Sequence, residues 1–213
     1  MTNIKTYYKE IDKLIYFNIL MTILLFSPLI SFFNVDYVVK FGGMMINCFI
    51  PLSLKDIFSS DFKEKILFPE HWKHPYPGSR IFSEITENLK DERINVNKLI
   101  ERYGKFPIKP EEQNQLWYKI YLQYQKENQI FYAQKEYLHY RDATAVTLII
   151  LVTFISINII LQFCYNIHID FYELYCIYLI IQLIIFKFSA KNKSKRFAYN
   201  VLAIASQTDD LNK

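Results

Sequence analysis

The chain has 213 residues, of which 52% are hydrophobic and 17% aromatic, with a formal charge of +4, yet its mean hydropathy is only +0.04. Apolar residues are therefore gathered into blocks between polar stretches, which argues against one evenly patterned soluble domain. The bases cluster at segment ends and the region from Lys55 to Asp142 nearly balances its charges, so no nucleic-acid-binding stripe is indicated there; the four glycines, Gly42, Gly43, Gly78 and Gly104, build neither a phosphate-cradling loop nor a dinucleotide fingerprint.

Lys5, Lys9 and Lys13 precede a first apolar block, residues 14–33, which is about one bilayer thickness of helix and carries Pro28 near its far end. The N-terminus lacks the short apolar core and small-residue cleavage site of a secretory signal, so this block is expected to be retained. Residues 38–54 are shorter and contain Lys40, Gly42, Gly43 and Pro51, which leaves two readings, a second span or a re-entrant segment. Residues 1–54 are thus predicted to form an N-terminal membrane hairpin.

A helical cytoplasmic domain is expected over residues 55–142. In it, "HPYPGSR" at 74–80 reads as an extended piece and a turn, with Ser79 placed to cap the helix that follows. Ile81, Ile85 and Leu89 recur at helical spacing; Asn95 is placed to cap a second short helix ending at Gly104. Pro110, Glu111 and Glu112 form a helix start, because proline is tolerated in the first turn and carboxylates favour the positive end of the helix dipole. Leu116, Trp117, Ile120, Tyr121 and Tyr124 then make one apolar stripe, which resumes with Ile130, Tyr137 and Leu138 after a break near Asn128.

At "RDATAVTLIILVTFISINIILQF" (141–163) an Arg-Asp pair stands against about twenty uncharged residues, long enough to cross a bilayer as a helix. A third span is predicted over 143–164 and a fourth over 171–189, together a C-terminal membrane hairpin over 143–190. The link between them lacks Lys and Arg, whereas the flanks before Arg141 and after Lys187 are rich in both. The link should face outward and both termini inward, with residues 191–213 a cytoplasmic amphipathic tail whose Phe197, Val201 and Ile204 suit the membrane surface or the central domain. The expected fold is an all-α integral membrane protein of about four transmembrane helices, with the helical domain inserted between spans 2 and 3.

Catalytic chemistry is not evident, and neither an enzyme activity nor a cofactor is expected. No serine sits in a nucleophile elbow, and Cys48, Cys164 and Cys176 lie in or beside apolar runs without CxxC spacing. Glu70, His71 and His74 fall among prolines, and Glu136 with His139 supplies one helical Glu-x-x-His pair where a di-iron bundle needs two, so no metal site is expected. Polar residues in the apolar blocks carry more weight: Asn47, Asn158, Gln162 and Gln182 either line an aqueous path or join helices. Asp170 and Glu173, at the outward mouth of the fourth span, would attract cations if grouped about an oligomer axis. Arg141 is placed to snorkel or to pair with a neighbouring helix, and Asp142 needs a partner.

The motifs "HPYPGSR" with a following Phe, "DERI" at 91–94, "QNQLWY" at 113–118 and "YLHYRD" leading into a span resemble the membrane ion-channel effectors of Hailong-type bacterial anti-phage defence systems, over roughly residues 70–205. The resemblance implies a homo-oligomeric channel of the bacterial inner membrane. It also implies that the channel is held shut by a nucleic-acid or nucleotide oligomer made by a nucleotidyltransferase partner, and opened during infection. Arg80, Arg93, Trp117, Tyr118, Arg141 and Asp142 fall in the shared motifs and are the ligand or gating candidates it implies. The residues themselves leave a second reading open, a membrane-anchored sensor or scaffold that binds a partner through residues 70–140.

Overall fold

The computed structural model describes residues 57–87, 91–166 and 172–208, together with Lys13 and Phe17. Apart from Phe17, the two N-terminal apolar blocks lie outside the described residues, as do Asn47 and Asp170. The described residues are helical, without strands. In chain order they form α1 (Ser60–Leu67), short 3-10 turns at Pro69–His71 and Pro77–Ser79, α2 (Ile81–Glu87), α3 (Val96–Tyr103), α4 (Pro110–Tyr124), α5 (Asn128–Tyr165) and α6 (Tyr172–Gln207). Two of these helices, α5 and α6, are long and apolar enough to cross a membrane.

Local chemistry sets most of these boundaries. The Ser59 hydroxyl accepts from the Phe62 amide at 3.2 Å and opens α1. Asn95 Oδ1 accepts from the Lys98 amide at 3.1 Å, capping α3, and Gly104 closes that helix at φ 82° with its N–H on the Ile100 carbonyl. Pro110 occupies the first turn of α4. Asn166, at φ 53°, ends α5 in the left-handed region that asparagine tolerates, its N–H on the Gln162 carbonyl at 3.2 Å. Ser79 does not cap α2: it lies inside the preceding 3-10 turn, and its Oγ is buried without a hydrogen-bond partner among the described residues.

The chain divides into two compact units, one of residues 1–63 with 139–188 and one of residues 64–138 with 189–213. The second has an aromatic core. Trp117 stacks on Tyr121 at 5.7 Å and meets the edge of Phe197 at 5.2 Å, while its Nε1 donates to the Ala198 carbonyl. Phe82, Leu99, Ile120, Ile130 and Leu202 complete that core. Gly78 allows α4 to approach the Pro77–Ser79 turn, since a Cβ there would come within 2.8 Å of Trp117 Cβ and Asn114 Oδ1. Gln113, 1% exposed, joins α4 to α2 by accepting from the Ser83 amide and donating to the Ser83 hydroxyl and the Ile108 carbonyl.

Residues 189–207 continue α6 without a break and pack into this same unit. Their bases are engaged: Lys191 pairs with Glu70 at 2.7 Å, Lys193 with Glu136 at 2.8 Å and Lys195 with Glu84 at 2.8 Å. Phe197, Val201 and Leu202 face the core, so of the two surfaces suited to this tail, the helical domain takes it.

The other unit contains the apolar stretches of α5 and α6 as an antiparallel pair. Phe154 on α5 meets the edge of Tyr175 at 4.8 Å and stacks on Tyr172 at 5.5 Å, and Tyr140 meets Phe186 at 6.2 Å. Tyr175 and Leu179 mark the covered face of α6, while Leu174, Ile177, Ile181, Ile184, Ile185 and Phe188 are exposed. Of the most apolar stretch, 44% is buried in α5 but only 17% in α6.

Candidate functional site

The Arg-Asp pair sits in a buried cluster. Helical spacing in the first turn of α1 places Ser60 and Lys63 on one face, and both reach the pair on α5. Asp142 Oδ1 lies 3.2 Å from Lys63 Nζ and 2.9 Å from Arg141 Nη2, and it accepts from Arg141 Nε at 3.0 Å; Arg141 Nη1 donates to the Ser60 hydroxyl at 3.3 Å. Lys63, Arg141 and Asp142 are 6%, 9% and 6% exposed. Arg141 is thus turned inward to its partners rather than outward to lipid phosphates. Desolvating each such ion costs several kcal/mol, about repaid when geometry is good and every charge is paired; removing one partner then costs roughly 3–5 kcal/mol.

Farther along α5, Asn158 is 3% exposed, and its Oδ1 is buried without a hydrogen-bond partner among the described residues. Gln162, one turn on, is part exposed, and Glu173 is exposed at the start of α6. Gln182 Nε2 donates to the Tyr178 hydroxyl at 3.1 Å within α6. This polar pair lies in the less covered of the two apolar stretches among the described residues.

In the helical domain the candidates separate. Trp117 is core, and Tyr118, 52% exposed, faces away from it. Arg93 forks onto Asp91 (Nε to Oδ1 at 2.9 Å, Nη2 to Oδ2 at 2.6 Å) and also donates to Asn200, which fastens the stretch before α3 to α6. The Arg93 hydrogen bonds hold the Asp91 carboxyl below its ordinary value against the effect of burial. Arg80 lines a groove of ≈ 360 Å³ with Pro69, Glu70, His71, Trp72, Lys73, His74 and Pro110. Its guanidinium lies over the Phe68 ring at 5.5 Å and donates to the His74 carbonyl, and no carboxylate among the described residues comes within ion-pair distance. Burial pulls the Arg80 pKa below its ordinary value, only partly opposed by Glu84 and Glu70. Burial and then the Arg80 charge lower that of His71.

Compared with family models, curated proteins and solved structures, the chain matches none. Its site must be argued from its own residues. Sequence reasoning found Arg141 and Asp142 but not Lys63 and Ser60, because "SDFKEKIL" carries the charge pattern of an ordinary surface helix. It also missed Gln113, whose neighbours in "EEQNQ" are exposed or only partly covered.

Proposed function

We propose that the chain is a multi-pass protein of a bacterial inner membrane that assembles into an oligomeric, gated ion-conducting pore. Four spans cross the bilayer, and both termini and the helical domain are cytoplasmic. The observation that carries this reading is the apolar stretch of α6, left largely uncovered, with the Tyr178–Gln182 pair at the border between its exposed and covered faces. Contiguous apolar patches of this kind are rare on soluble monomers, and an amide among them is disfavoured toward lipid and favoured toward a neighbouring copy or a water path. Copies packed beside that border would bring Tyr178 and Gln182 toward a shared axis, with Glu173 at its outward end. In line with the resemblance set out above, the closed state is held by a nucleotide oligomer and released during phage infection.

Induced expression under activating conditions should depolarise cells, as read with a potential-sensitive dye, and Gln182→Leu should change single-channel conductance. An intact potential in cells making verified, inserted protein contradicts the reading. A membrane-anchored scaffold is the second reading, favoured by the exposed aromatics Trp72, Tyr118 and Tyr132 of the helical domain.

A further inference from the structure

The groove beside Arg80, a ligand or gating candidate of the resemblance, has a chemistry of its own. It holds a half-buried guanidinium engaged, among the described residues, with the Phe68 ring and the His74 carbonyl. The two carboxylates whose charge acts on it are already taken, Glu70 by Lys191 and Glu84 by Lys195 and Tyr199. Lys73 and His71 line the same opening, and His74 faces Glu111 at 3.7 Å. A cation withdrawn from water in this way favours an incoming anion, and the fork of a guanidinium suits phosphate oxygens.

The groove also carries an aromatic wall: Trp72 is 52% exposed, with Lys65 over its ring at 5.6 Å. An exposed Trp with basic neighbours is the combination enriched where protein meets lipid headgroups. Lys191, which closes on Glu70 and lies over Phe68 at 5.6 Å, stands three residues beyond Phe188, the last exposed apolar residue of α6. The volume, ≈ 360 Å³, falls at the lower end of the range of about 300–1,000 Å³ that takes small-molecule groups.

We infer that this groove binds the headgroup phosphate of an acidic phospholipid, with Arg80 and Lys73 facing the phosphate and Trp72 packing on the glycerol and upper acyl chain. The inference rests on the membrane reading above, since it places the groove at a bilayer surface.

Native mass spectrometry of the full-length protein in detergent, titrated with dioleoyl-phosphatidylglycerol or dioleoyl-phosphatidylcholine, tests it. Phosphatidylglycerol adducts should exceed phosphatidylcholine adducts. Arg80→Gln should reduce them at least about tenfold, as expected for loss of a charged hydrogen bond. Lys73→Gln, on an exposed side chain that folding does not need, should reduce them about fivefold. Lys119→Gln, exposed on α4, should leave them unchanged. Equal adducts for the two lipids, or adducts insensitive to both groove substitutions, overturn the inference. Arg80-dependent binding of inorganic phosphate or ATP, with no preference between the lipids, overturns the lipid assignment in favour of a soluble phosphate. A chain that stays in solution without detergent overturns this inference and the membrane reading together, whereas a detergent-dependent chain with equal adducts overturns this one alone.

Discussion

In the unit of residues 64–138 and 189–213, Trp117, Phe82, Leu99 and Leu202 lie inside, and the ion pairs of Lys191, Lys193 and Lys195 lie at the surface. In the unit containing 139–188 the order is inverted: Lys63, Arg141 and Asp142 are buried, and Leu174, Ile177, Ile181 and Phe188 face outward. One chain thus follows the rule that like goes with like toward two different surroundings. The contrast accords with the near-zero mean hydropathy and, on the proposed membrane reading, sets one unit toward water and the other toward an apolar medium. It also implies that a charge does different work in each place.

The largest expected effect tests that implication. Asp142→Ala leaves Lys63 and Arg141 buried beside the site of the missing carboxylate and should cost about 3–5 kcal/mol in denaturant unfolding of the detergent-solubilised protein. Lys195→Ala, which removes a pair with Glu84 whose side chains are 45% and 40% exposed, should change stability by less than about 1 kcal/mol. Equal losses would break the comparison. Next comes a steric test of the water-facing unit: Gly78→Ala forces a methyl against Trp117 Cβ and should cost about 1–3 kcal/mol, the usual range for overpacking a tight core. A neutral result would mean that α4 and the Pro77–Ser79 turn are less closely packed than described.

The smallest effect is one of pH. Asp91 is held below the ordinary carboxylate value, first by the Arg93 side-chain hydrogen bond. A carboxyl depressed on folding contributes stability that is fully present above the unfolded pKa and is lost as pH falls through the lower folded value. Asp91→Asn should therefore lower stability slightly above about pH 4 and converge with the wild type as pH falls further, which flattens the acid limb of the stability profile. A variant whose acid limb overlays that of the wild type would show that the Arg93 fork does not persist in solution.

What the sequence made legible follows physical range. Asn95, Gly104 and Pro110 act within a turn of themselves, so the borders of α3 and the start of α4 were readable from residue type alone. The uncharged runs on α5 and α6 were equally plain, because hydropathy is summed over consecutive residues. The partners of the Arg-Asp pair were not: Ser60 lies 81 positions from Arg141, and nothing in "KEK" separates a lysine bound for the interior from one bound for water. Lys191, in the basic stretch after Lys187, closes on Glu70, 121 positions away. The continuity of α6 through "SAKNKSKR" escaped for a related reason, since a change of surroundings from apolar to polar looks like the end of one element when only composition is read.

The central claim is that the apolar stretch of α6 lies within the membrane. A nitroxide attached at Ile181→Cys, in protein whose native cysteines are replaced and which is reconstituted in vesicles, measures this directly through relaxation by oxygen and by a water-soluble nickel chelate. The label should be relaxed mainly by oxygen at residue 181, and mainly by the chelate when moved to Tyr118→Cys. Strong relaxation by the chelate at residue 181 would place that stretch in water and contradict the account.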